Sequence, residues 1–155
     1  VSLRDFLWSK FWTGFVPVVV LTEALTIAAN EFLGIDLFLK VLAAVAIVFM
    51  SLALVGLAAG LGARYPRFGA DPSQVAGSFG GVAFMTQAVL LVLVMLILLG
   101  WPSATYLSHR TRGVPLSGFQ HVAMIACFVA AGVLSLTVWQ MSMRSGIRAL
   151  EKMSG

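Results

Sequence analysis

The run Phe38–Ala63, FLKVLAAVAIVFMSLALVGLAAGLGA, carries a single charged side chain, Lys40, close to its start. At 1.5 Å per residue such a run crosses a hydrocarbon core of about 30 Å. Hydrocarbon offers a backbone no hydrogen-bond partner, so the segment must close its own bonds as a helix. Strands of a closed barrel would be about ten residues long and would alternate in polarity. Three further apolar runs, Phe11–Phe32, Phe79–Gly100 and Phe119–Met143, repeat the pattern. The predicted fold is all-α: one polytopic membrane domain over residues 1–155, with four transmembrane helices.

Composition points the same way. Hydrophobic residues make up 60% of the chain and charged residues 10%, and the mean hydropathy is +0.99, outside the range of soluble domains. Sorted by gap, Arg4, Lys10, Arg64, Arg67, Arg144, Arg148 and Lys152 fall on one side of the membrane and Lys40, Arg110 and Arg112 on the other. This asymmetry places both termini in the cytoplasm of an inner-membrane, multi-pass protein. The net charge of +4 then expresses attraction to anionic membrane lipid. No stacking module or basic groove argues for nucleic acid. Cys127 is the only cysteine and lies in an apolar run, so it reads as a small buried hydrophobe. The sequence opens on Val1 without an initiator methionine, which suggests part of a longer protein.

Polar residues within the runs mark the places to inspect. Trp8, Phe11, Trp12 and Phe15 share one helical face opposite Ser9, Lys10 and Thr13, as expected of a short interfacial helix or an aromatic belt before the first span. Pro17 should bend that span. Glu23 sits about halfway across, where an unpaired ionised carboxylate costs roughly 2.5–3.5 kcal/mol, so it should be protonated, face other helices or line a wet cavity. Functional and structural roles for it are equally open. Gly56 and Gly60 form a small-xxx-small pair that predicts close approach of another helix without saying which.

The gap from Arg64 to Gly81 looks ordered. Asp71 suits an N-cap, Pro72 the first helical position and Gln74 the third position of a capping box, so a short cytoplasmic helix should begin near Pro72. Gly77, Gly80 and Gly81 should then separate it from the third span. Pro102 should stop that span, leaving Tyr106, His109, Arg110 and Arg112 in an outer loop, and Ser117 with Gln120 should cap the fourth.

Little in the sequence supports chemistry. His109 and His121 lack the spacing of helical metal ligands, so no metal site is expected. Ala76-Gly77-Ser78-Phe79-Gly80 approaches a serine nucleophile elbow but has Ala76 for the first glycine and no preceding strand, and His121 belongs at the opposite surface. An intramembrane serine hydrolase is the least favoured reading. No G-x-x-x-x-G-K-[ST] loop occurs, so no catalytic residue and no resident cofactor are expected, and any ATP would be bound by a partner. Transport ranks slightly above a small four-helix scaffold or regulatory protein.

Four stretches carry a family resemblance: Leu7–Trp12, Gly60–Phe68, Pro72–Gln74 with Ser78–Gly81, and Arg144–Glu151. Through them the chain resembles the membrane-spanning permease subunits of a family of bacterial ABC exporters of type-2 architecture, and looks like their C-terminal portion. Asp71 stands where that family's pattern has an asparagine. The resemblance implies an alternating-access exporter subunit that forms part of a translocation path. It implies as partners a separate ATP-binding subunit and either a second permease copy or the remaining half of the same permease. It makes Arg64, Tyr65, Pro66, Arg67, Phe68, Asp71 and Gln74 candidates for the loop that couples to the ATPase.

Overall fold

A computed structural model of the chain describes residues 2–66, 71, 73–74 and 77–155. Four helices account for nearly all of them: α1 (Leu3–Phe32), α2 (Leu37–Arg64), α3 (Phe79–Arg112) and α4 (Gly118–Ser154). Each is long and apolar enough to cross a membrane. The expected all-α, four-span architecture is present, and among the described residues there is no strand.

Local chemistry sets most of the helix ends. Ser2 Oγ accepts from the Asp5 N–H at 3.2 Å to start α1, and Ser78 Oγ accepts from the Gly81 N–H at 3.2 Å to start α3. At α4, Ser117 Oγ accepts from the Gln120 N–H at 3.3 Å while Gln120 Oε1 accepts from the Ser117 N–H at 2.9 Å, the reciprocal pair the sequence predicts. Gly34 and Gly113, at φ +60° and +65°, occupy the left-handed conformation that lets the chain leave α1 and α3.

Two expectations about boundaries are corrected. The aromatic segment around Trp8 is the opening of α1 itself, continuous through Pro17 with the first span, rather than a separate interfacial helix. Pro102 does not stop the third span, and α3 runs on to Arg112 with the proline inside it. A proline withholds one ladder donor, here the one for the Leu98 carbonyl, and membrane helices absorb that loss where neighbours pack tightly. Pro102 is completely buried.

The helices run up and down, so both termini and the α2–α3 turn share one end, called here the terminal face. The α1–α2 and α3–α4 loops share the other. The α2–α4 interface is the most extensive; α1 and α3 each pack on both members of that pair and do not meet. Near the terminal face, Leu7, Phe11, Ala63 and Met143 form one buried cluster, with Trp8, Phe15 and Trp139 against it. Deeper in, Ala53, Leu91, Met95 and Ala131 form another.

Lipid tails are as apolar as leucine, so these clusters gain little from burial as such; close packing must hold the helices together. Glycine supplies it. A Cβ at Gly60 would overlap the Ser142 carbonyl group, 2.7 Å from its carbon, and one at Gly146 would lie 3.0 Å from Gly60 Cα. Gly56 admits Trp139 in the same way. The small-residue pair therefore faces α4, the partner the sequence left open.

Candidate functional site

Polar side chains collect at the two ends of the bundle. At the terminal face, Arg64 ends α2 and lies over the Tyr65 ring, 5.7 Å from its centre. Tyr65 closes α2 by donating its N–H to the Leu61 carbonyl at 3.0 Å, and its ring meets Phe79 edge-on at 5.4 Å. Its Cβ also abuts Gly80, where a methyl group would come within 2.8 Å. Tyr65 thus clamps the end of α2 to the start of α3. Arg64 further lines a cleft of about 180 Å³ with Gly60, Gln87, Ser142 and Ser145.

Of the other candidates in this turn, Pro66 follows the clamp, while Arg67, Phe68 and Pro72 lie outside the described residues. Ser73 and Gln74 are helical, with the Gln74 N–H donated to the Asp71 carbonyl at 2.9 Å.

Within the membrane span, Glu23 is half-buried on α1, and its Oε1 is buried with no hydrogen-bond partner among the described residues. Gly56 and Gly60 pack against α4, at Trp139 and Ser142.

At the opposite end a polar collar ties the four helices together. Asp36, in the α1–α2 loop, pairs with the Arg110 guanidinium and accepts from the Tyr106 hydroxyl at 2.9 Å. The hydrogen bond from Arg110, then that from Tyr106, hold its carboxyl below the usual carboxylate range. Lys40 pairs with Glu31 at 2.6 Å across the same loop. His109 Nε2 lies 3.0 Å from Gln120 Nε2, so the amide can donate to a neutral imidazole whose Nδ1–H faces the Val114 carbonyl at 3.3 Å. His121 turns back on the Ser117 carbonyl at 3.1 Å. Ser78 and His121 head helices at opposite ends of the bundle.

Sequence reasoning missed this collar because it ended the third span at Pro102. Tyr106 and Arg110 stand at i and i+4, a ridge pairing that is visible only once the helix is carried past the proline. Asp36 gave no local signal, since its partners lie about seventy residues away.

Comparison with known proteins adds one finding. Residues 1–154 match the model of the family described as "Putative ATP-binding cassette". The chain belongs to that family. No curated protein and no solved structure matches it. The family match corrects the resemblance drawn from the sequence: the matching family is an ATP-binding cassette family, not a permease family. The assignment as the membrane-spanning subunit of a type-2 exporter, working with a separate ATPase, is overturned with it. What stands is a membrane protein in an ABC transporter context, built of four helices able to span a bilayer.

A family of this description implies a nucleotide, and the residues here do not fit one. Triphosphate binding uses a glycine-rich loop opening a helix, followed directly by lysine. The nearest counterpart, Ser78-Phe79-Gly80-Gly81 at the head of α3, is overlaid by Tyr65 at Gly80, and the first lysine or arginine after it is Arg110, at the far end of the helix.

Proposed function

We propose that these residues form the membrane-embedded helical domain of an ATP-binding cassette protein, anchoring it in the bilayer, with nucleotide bound outside them. The single observation that carries this reading is the placement of backbone-to-backbone α2–α4 packing directly at the terminal face. Gly60, Ser142 and Gly146 lock two helices there beside the Tyr65 clamp. Helices in such close contact hold a fixed register, as a membrane anchor requires. On this reading the terminal face, where Arg64 and Tyr65 close α2, is cytoplasmic.

The test is photolabelling of the intact assembly in proteoliposomes with 8-azido-ATP, followed by peptide mapping. Label is expected on peptides outside residues 1–155 and to be lost from them when excess ATP competes. ATP-sensitive label on a peptide within residues 1–155 would overturn the proposal.

A further inference from the structure

Between α1 and α2, on the terminal half of the bundle, lies an open cavity of about 270 Å³. Phe6, Lys10 and Gly14 form one wall and Val55, Ala58 and Gly62 the other. The cavity exists because α2 presents small residues there: a Cβ at Gly62 would meet nothing within 4 Å. Its lining is apolar apart from Lys10. The Lys10 ammonium stands 5.5 Å from the centre of the Phe6 ring and is exposed. Among the described residues the ion pairs are Lys40–Glu31 and Arg110–Asp36, so Lys10 has no carboxylate partner there.

The depth of the cavity follows from helix length. About 20 residues cross the hydrocarbon, whereas α1 has 30, so α1 overruns the core. Asn30 and Glu31 mark its far surface, which puts Lys10 where hydrocarbon gives way to headgroups. An open greasy slot with a cation in its lining has the complementarity of a phospholipid: acyl chain along the slot, phosphate at the ammonium. Other cations at this end, Arg4, Arg64, Arg144 and Arg148, strengthen the preference for a negative headgroup.

We propose that the α1–α2 cavity is a binding site for one anionic phospholipid of the leaflet at the terminal face, with Lys10 holding its phosphate. The proposal requires only that the helices span a membrane, so it survives a failure of the nucleotide reading.

The test is native mass spectrometry of the full protein released from nanodiscs containing equal phosphatidylglycerol and phosphatidylcholine. One retained lipid is expected, predominantly phosphatidylglycerol. Lys10→Gln should cut the preference by about five-fold, the factor expected for one basic residue at an anionic surface. Gly62→Leu should fill the slot and abolish retention of either lipid, and because that position points into open space the helix content by circular dichroism should not change. The proposal fails if Lys10→Gln leaves the preference unaltered, if Gly62→Leu retains lipid, or if Gly62→Cys, with Cys127 replaced by alanine, forms a disulfide between two copies under oxidation, which would make the occupant a second chain.

Discussion

At the scale of single residues, two glycines two positions apart make opposite predictions. Gly60 has the Ser142 backbone where a methyl group would go, whereas Gly62 has free space. Gly60→Ala must push α2 and α4 apart, and overpacking of this kind costs typically 1–3 kcal/mol. Gly62→Ala adds no contact and removes a helix-weakening glycine, so it should be neutral or stabilising by up to about 1 kcal/mol. Unfolding of the two variants by sodium dodecyl sulfate in mixed micelles, followed by tryptophan fluorescence, separates these outcomes; equal stabilities would refute the packing argument. The Gly56/Gly60 spacing announces a close contact in the sequence, but the residues that fill it, Trp139 and Ser142, could not be read there. A spacing motif specifies the shape of one surface and carries no information on which helix approaches. Glu23 was conspicuous for the opposite reason, as a charge-bearing group in an apolar run, and the structure leaves its buried oxygen without a partner among the described residues.

At the scale of elements, spans were legible because apolar runs of the right length admit one backbone solution in lipid, and the start of α4 was legible because Ser117 caps it locally; the Ser78 cap of α3 went unread. The end of α3 was misread because a proline breaks helices in water more reliably than in a packed membrane bundle. That error hid the collar, and the collar has a measurable consequence. Asp36 is held ionised first by the hydrogen bond from Arg110 and then by that from Tyr106. A lowered carboxylate pKa stabilises the fold fully above the ordinary carboxylate value, and the effect is lost as pH falls through the depressed folded-state value. Arg110→Gln should therefore raise the Asp36 pKa back toward the ordinary range and move loosening of the α1–α2 loop to higher pH. A carboxyl-carbon NMR titration of Asp36 in wild type and variant reads this directly. An unchanged midpoint would show that the ion pair does not hold the loop.

At the scale of the whole molecule, the bundle is a central α2–α4 pair with α1 and α3 on its flanks, and most apolar side chains of α1 and α3 face outward. Up-and-down topology puts both chain ends on one face whichever way the protein is inserted, so orientation is decided by charge. Among the described residues, Arg4, Lys10, Arg64, Arg144, Arg148 and Lys152 belong to the segments at the terminal face and Lys40, Arg110 and Arg112 to the other. Short flanking segments rich in lysine and arginine are retained on the cytoplasmic side during insertion. With Cys127 replaced by alanine to remove background, Lys152→Cys should resist a membrane-impermeant maleimide in intact cells and react after permeabilisation, while Arg112→Cys should react in both conditions. The reverse pattern would place the terminal face outside the cell and refute the charge argument.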